Sequence, residues 1–406
     1  MPKPIRFYVQ WWWWVDLAVP TDLISPMKRS VSVRPFFTIL LLILFTVTLS
    51  CRILIRKGGV FTSIQLQPNL IVHPPLPVFN STLLKYASID IGEAKSNQEI
   101  EQLLEGSFAS QGRYKSFTTW RRSNHRSIRS SSSKGMPLIF RSPQFYRYWL
   151  DFRRVLQNWS RNKRFQPDIM SQLVELMGAK KKYESCAVVG NSGILLQKNF
   201  GELIDGHEMV FRLNNARIER FEQFVGFKTN VSFVNSNILH LCARRVGCFC
   251  HPYGANVPMV MYICQPMHLL DYTICNASRN SPVIITDRRF DLLCSRVVKY
   301  YSLKRFAGET GKSLDEWSSS HDGSMFHYSS GFQAVMLALG TCEKVSIFGF
   351  GKSAQAKHHY HTNQKGELRL HDYAAEYDFY HDFVSNPLAI PFVSGKFKFP
   401  PVVIYQ

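Results

Sequence analysis

The sequence is short of acid: 29 Asp and Glu stand against 49 Lys and Arg, a formal net charge of +20. No D-x-D triplet occurs anywhere in the chain, so a divalent cation cradling a nucleotide diphosphate is not indicated. Zinc-finger, RNP and basic-zipper patterns are missing, which argues against nucleic acid as the partner of all this positive charge. There is no paired C-x-x-C…C-x-x-C spacing, so disulfides are favoured over structural zinc. Internal repeats are absent too. What is present is ample for a packed core. Hydrophobic residues make up 45% and aromatics 14% of 406 residues, room for one large domain or two. The positive balance fits membrane topology with a basic stem, or a surface that favours an anionic substrate.

The uncharged run Pro35–Cys51 lies between Arg34 and Arg52. It is at the short end of a membrane span, and Ile53–Ile55 extends it. Lys28, Arg29 and Arg34 flank one side, Arg52, Arg56 and Lys57 the other, so the positive-inside bias favours a cytoplasmic N-terminus only slightly. A cleaved signal peptide is the competing reading. No small-x-small cleavage site follows the run, which favours an uncleaved anchor. The segment before it, with four consecutive Trp, has no structural account, and Met27 reads as an alternative start, so residues 1–26 are expected to be dispensable. The chain is thus expected to divide into a cytoplasmic tail (1–34), a single-pass signal-anchor (35–55), a lumenal stem (56–135) and a globular domain (136–406). The stem contains "QPNLIVHPPLPVFN", polar helix-like material, and the Ser/Arg linker "RRSNHRSIRSSSSKG". Sequons at Asn80, Asn158, Asn230 and Asn276 fit a lumenal position. So do nine cysteines, of which Cys242, Cys248, Cys250, Cys264, Cys275 and Cys294 cluster with unreadable connectivity.

From Cys186 the pattern alternates. "CAVV", "MVFRL", "VSFV", "PMVMYI", "PVIIT" and "KVSIFGF" read as buried strands, and "ILLQKNFGELI", "SSGFQAVMLALGTC" and "AAEYDFYHDFV" as helices. That is α/β: a mostly parallel, Rossmann-type sheet with helices on both faces. Ligands of such sheets sit beyond the carboxyl ends of the strands. Gly190–Gly193, Arg212–Asn215, Ser329–Gly331 and the His-rich loop after Phe350 are therefore expected around one crevice.

Two of these turns precede helices. "GNSG" (Gly190–Gly193) is neither a G-x-G-x-x-G nor a Walker A pattern. It suits a phosphate or sugar at a helix N-terminus, and equally an ordinary βα turn. Ser329–Gly331 can cap its helix and admit close backbone approach, although a capped core helix is the simpler reading. The loop that follows holds His358, His359, His361, His371 and His381. Metal ligation by His359 and His361 with His371 or Asp372, a solvated polar loop, and acid–base catalysis all fit this spacing.

Together these pieces resemble the sialyltransferases, glycosyltransferase family 29, of the plant sialyltransferase-like type. Cys186–Asn235 is similar to the family's large motif, with Ile204-Asp205, Arg212-x-Asn214 and Val225-Gly-x-Lys-Thr229. Ser329–Gly351 is similar to the small motif. His358–His361 lies where the third motif belongs, and His371–Glu376 matches the very small motif, His-x4-Glu. The resemblance covers roughly residues 140–406. It implies a variant GT-A-like fold and a type II Golgi membrane enzyme with a lumenal catalytic domain. It implies inverting transfer of an acidic sugar from a CMP-activated donor to a glycan hydroxyl, with no cofactor and no metal. Asn191 and Asn214 would contact CMP, and Ser330 and Gly331 the donor's nucleotide and carboxylate. His371 would be the general base and His359 would stabilise the departing phosphate, leaving His358, His361 and His381 as surface or packing residues. Cys186 and Cys342 would form a disulfide. A histidine suits proton removal in a mildly acidic lumen, and the leaving phosphate needs positive charge or donors.

Three positions depart from the family. Tyr328 replaces the usual Pro, Phe224 the usual Asp, and His361-Thr362 the usual aromatic-acidic pair. They bear on donor and acceptor identity more than on fold; a donor such as CMP-Kdo enters on that ground. They also leave room for a degenerate relative that binds CMP or a glycan without turnover. A Golgi scaffold protein is the third reading.

Overall fold

The computed structural model describes residues 42–46, 79–90, 93–105, 143–161, 165–239, 250–277, 281–321, 326–362, 370–385 and 390–406. Of the expected anchor only Leu42–Thr46 is described, a helical turn with Leu42, Ile43, Leu44 and Phe45 exposed. The rest of the anchor, the tail, most of the stem, Cys242 and Cys248 lie outside the described residues. Among the described residues no helix is long and apolar enough to cross a membrane.

Seven strands form one sheet: β1 Cys186–Val189, β2 Met209–Leu213, β3 Val231–Asn235, β4 Met259–Tyr262, β5 Val283–Ile285, β6 Val345–Phe348 and β7 Val402–Tyr405. Their order is β5-β4-β3-β2-β1-β6-β7, and every pair is parallel. Short β-branched runs between turn signals make these strands, and burial on both faces removes the need for polar alternation. Successive side chains point to opposite faces. Cys186 and Val188 join one core with Phe211, Leu213 and Phe233. Ala187 and Val189 join another with Val210 and Phe348.

The described helices of seven residues or more are α1 Ser81–Ala87, α2 Glu93–Leu104, α3 Pro143–Arg161, α4 Ile169–Leu176, α5 Leu269–Ala277, α6 Arg288–Thr310, α7 Ser330–Thr341 and α8 Tyr373–Ser385. Trp149, Phe152, Leu156 and Trp159 line one face of α3 at helical spacing and are buried with Leu269 and Leu270 of α5. α7 is buried along its whole length, which explains its continuous apolar sequence. The long α6 is capped by Asp287 and ends at the left-handed Gly311.

The structure moves one expected boundary. Residues 79–90 and 93–105, expected in the stem, pack against the globular domain. α1 sets Leu83 and Ala87 into the same core as α6, and α2 sets Ile100 and Leu103 beside Phe152 and Leu156 of α3. Arg296 of α6 pairs with Asp90 at 3.2 Å, and Lys299 Nζ donates to the Ile89 carbonyl at 2.7 Å. A second expectation also fails. "ILLQKNFGELI" is not one helix but a 3-10 turn, Gly193–Gln197, and a short helix, Gly201–Asp205. Gly201 lies against the Glu222 carbonyl, so the chain breaks to make that contact.

Cys186 at the start of β1 is bonded to Cys342 at the end of α7. The bridge closes 156 residues, worth on the order of 5 kcal/mol in the chain-entropy model. Cys250 and Cys275 form a second bridge. Cys294 is a buried thiol of α6.

Candidate active site

The strand order reverses around β1, which has β2 on one side and β6 on the other. Beyond the carboxyl ends of these strands a cavity of about 980 Å³ opens, where ligands of such sheets bind. Asn191, Asn214, Ser330, Gly331, His359 and His371 all line it. The six residues singled out for donor binding and catalysis thus share one crevice.

Asn191 follows β1. Its carbonyl accepts from Tyr360 N at 2.9 Å, while its side-chain Oδ1 is buried without a hydrogen-bond partner. A buried amide oxygen in that state costs free energy until something donates to it, which fits a ligand contact. Asn214 ends β2 in the left-handed region, φ 53°. Its Oδ1 accepts from Asn235 N at 2.9 Å, and its Nδ2 donates to Ser330 Oγ at 3.3 Å. It therefore joins two walls of the cavity.

The glycine turn is used differently from the sequence expectation. A Cβ at Gly190 would stand 2.7 Å from the Gly349 carbonyl, and one at Gly193 would stand 2.6 Å from the Lys357 carbonyl. Gly193 N donates to that Lys357 oxygen at 2.9 Å, and Ser192 Oγ donates to the Gly351 carbonyl at 2.8 Å. These glycines let the loop 351–360 lie flat on β1. With only a 3-10 turn behind it, this turn offers no long helix dipole.

The second turn does head an α-helix. Ser329 caps α7, its Oγ accepting from Phe332 N at 3.0 Å. The same residue gives its N–H and its hydroxyl to Glu376, at 2.6 Å each. Glu376 is 1% exposed. Burial pushes its carboxyl up to about 7, against the lowering effect of the two Ser329 bonds.

His371 sits just before α8. Its Nδ1 lies 2.9 Å from the His327 carbonyl. A carbonyl only accepts, so Nδ1 carries the proton and Nε2 is the basic nitrogen of the neutral ring. His359 is half-buried, and burial lowers its pKa. Its Nδ1 lies 3.4 Å from Thr362 Oγ1. His361 is parallel to His359 at 5.8 Å but does not line the cavity; burial, His359 and Arg217 push it down to about 4. His381 is exposed on α8. The resemblance gives His358 no catalytic role. His358 lines the cavity, its ring 4.4 Å from that of His359 and 5.5 Å from that of Tyr373. Adjacency to His359 was the only signal in the sequence.

Arg212, expected at the crevice, is not among the lining residues. It is 2% exposed, and its Nε donates to the Lys228 carbonyl at 2.9 Å and to Thr229 Oγ1 at 3.0 Å. Asp205 accepts from the N–H groups of Phe227 and Lys228 at 2.9 Å and faces Arg212 at 3.9 Å. Gly226, at φ 68°, leaves room for that carboxylate. This knot ties the segment Gly226–Thr229 to β2.

The family model for glycosyltransferase family 29 (sialyltransferase) matches residues 139–387. The chain belongs to glycosyltransferase family 29. The β-1,6-galactosyltransferase GALT29A of Arabidopsis thaliana is 50% identical over 94% of this chain and 100% of its own. Sialyltransferase-like protein 1 of Oryza sativa subsp. indica is 46% identical over the same shares. A crystal structure of a mammalian sialyltransferase aligns with 65% of this chain and 85% of its own, at 22% identity and TM-score 0.38.

Of the three departures from the family-29 motifs, His361-Thr362 follows His359 outside the cavity lining, and the other two fall in different places. Tyr328 is 3% exposed, lines the cavity and stacks on Tyr262 at 5.2 Å. Phe224 packs into the core beneath β1 and β2, so an apolar contact stands where the family usually has a carboxylate. Among the sequons, Asn158 is exposed on α3. Asn80 is exposed and caps α1 through Oδ1. Asn276 is half-buried in α5. Asn230 uses its Oδ1 to accept from Val210 N at 2.9 Å, so it serves the β2–β3 junction.

Proposed function

We propose that this chain is an inverting glycosyltransferase of the Golgi lumen. It moves a sugar from a nucleotide-activated donor to a hydroxyl of a glycan. The observation that carries this reading is the fixed tautomer of His371 at the cavity wall. Nε2 takes the acceptor proton as the acceptor oxygen bonds to the anomeric carbon and the bond to the donor phosphate breaks. One base and one displacement give inversion. Asn191 and Asn214 hold the nucleotide, Ser330 and Gly331 bound the donor side, and His359 meets the departing phosphate.

For the sugar, galactose is the first reading, because a relative 50% identical over its full length is named for that transfer. A CMP-linked acidic sugar is the second. Ser330 and Gly331 at the N-terminus of α7 favour it, and another relative 31% identical over 51% of this chain is named a sialyltransferase. The test is a donor screen with the purified full chain. UDP-galactose, CMP-N-acetylneuraminate and CMP-Kdo are each offered with a β-galactan oligosaccharide, and product linkage is read by NMR. A β-linked galactosyl product supports the first reading, and transfer from a CMP-sugar alone replaces it with the second. A folded chain that binds CMP or UDP yet transfers nothing would be a non-catalytic relative.

A further inference from the structure

A crevice for a sugar nucleotide must accommodate negative charge, because every such donor carries at least one phosphate. Its known donors of positive character are limited. Ser329 N–H, the first at the α7 terminus, is committed to Glu376. Burial lowers the His359 pKa, which favours the neutral ring before a ligand enters.

Lys352 follows Gly351 at the end of β6 and lines the same cavity. Its ammonium stands 4.5 Å from the centroid of the Tyr373 ring, a cation–π distance. Among the described residues, it takes part in none of the ion pairs. Partial burial lowers its pKa, while Asp372 and Glu376 act the other way; a partly dehydrated ammonium gains more from an anion than a fully solvated one. Tyr373 is the hub. Its ring is 5.4 Å from that of His371, at 80°, and 5.5 Å from that of His358. One aromatic ring therefore neighbours both the base and the cation.

We propose that Lys352, steadied on the face of Tyr373, is the cation that pairs with the donor phosphate in this site. The inference rests on the nucleotide-donor reading above. During transfer the acceptor oxygen bonds to the anomeric carbon and its proton passes to His371 Nε2. The bond between that carbon and the phosphate oxygen breaks, and its electron pair stays on the phosphate. Lys352 meets the added charge. Lys357, the other lysine lining the cavity, is tied in through its backbone to Gly193 and serves as the control.

The experiment measures dissociation constants of CMP, UDP, CMP-N-acetylneuraminate, cytidine and uridine for the full chain by calorimetry. Lys352→Gln is expected to weaken whichever of CMP and UDP the wild type binds by about 10- to 100-fold, the range of a charge-assisted contact. The matching nucleoside should change less than about twofold, and Lys352→Arg should recover most of the loss. Tyr373→Leu should give a smaller loss than Lys352→Gln, and Lys357→Gln less than Tyr373→Leu. An unchanged affinity for that nucleotide in Lys352→Gln overturns the assignment, as does an equal loss for the nucleoside. If CMP is unaffected and only CMP-N-acetylneuraminate binds worse, the cation reads a sugar carboxylate and the phosphate assignment falls. A wild type that binds neither CMP nor UDP overturns the nucleotide-donor reading itself.

Discussion

The two glycine-bearing turns look alike in sequence and act differently in the structure. Gly190–Gly193 runs into a 3-10 turn, and its glycines face the backbones of Gly349 and Lys357. Ser329–Gly331 heads a twelve-residue helix and is gripped by a buried carboxylate. Each turn holds one histidine region. The first is laced to the loop carrying His358 and His359 through Gly193, Ser192 and Asn191. The second is laced to His371, through Glu376 on α8 and through the His327 carbonyl. A glycine turn at a crevice can thus serve the ligand indirectly, by letting another loop come close.

The comparison breaks most sharply at the two histidines. His371→Gln removes the base and should cut kcat by about 10²- to 10⁴-fold, with nucleotide affinity within about threefold. His359→Gln should act on the nucleotide instead. Its neutral ring must gain a proton to pair with a phosphate, so wild-type nucleotide affinity should fall as pH rises above its lowered pKa. The variant should flatten that dependence. Titrations from pH 5 to pH 8, set beside initial rates, separate the two roles. Equal effects of both variants on kcat would merge the turns into one functional unit.

The first turn is tested by bulk. Gly193→Ala places a methyl group 2.6 Å from the Lys357 carbonyl, against backbone that cannot swing aside. It should cost about 1–3 kcal/mol, read as a drop in Tm, and it should weaken nucleotide binding by displacing the His358–His359 loop. Gly331→Ala meets the Phe350 ring edge at 2.8 Å. A ring can shift where a carbonyl cannot, so its loss of Tm should be smaller. The reverse order would mean the loop is loosely held.

What was legible follows from range along the chain. Six strands were readable because each is an apolar, β-branched run between turn residues. β7 was not, because "VVIY" is short, half-exposed and follows two prolines. α6 was not, because it is enclosed and carries Lys299 and Ser302 inward with Leu293 and Val297, which blurs the helical stripe. Asn191, Asn214, His359 and His371 came from motif resemblance, and the structure puts them around one cavity. The Asp205–Arg212 knot and the Ser329–Glu376 grip came from neither pattern nor spacing. Both depend on polar partners further along the chain, Lys228 for Asp205 and Glu376 for Ser329, with no local periodicity to announce them.

The smallest expected effect concerns that grip. Glu376 has a folded-state pKa of about 7, above its ordinary 4.5, because burial outweighs the Ser329 bonds. The folded protein therefore holds this proton more tightly than the unfolded chain. The stability it contributes is complete below about pH 4.5 and is lost as pH rises towards 7. Asp291, pushed by burial from 3.8 to about 7, has the same sign. His361, pushed down to about 4, has the opposite sign and gains stability over part of that window. The wild-type profile is a balance of such groups, so the informative quantity is a difference. Glu376→Gln keeps an acceptor for Ser329 N–H and removes the titration. Its stability relative to wild type should rise by on the order of 1 kcal/mol per pH unit between about pH 5 and 7, read as converging Tm values. A constant offset across that range would mean that Glu376 stays ionised throughout. The second turn would then be held by a permanent charge, and α7 would present its N-terminus to the donor already neutralised.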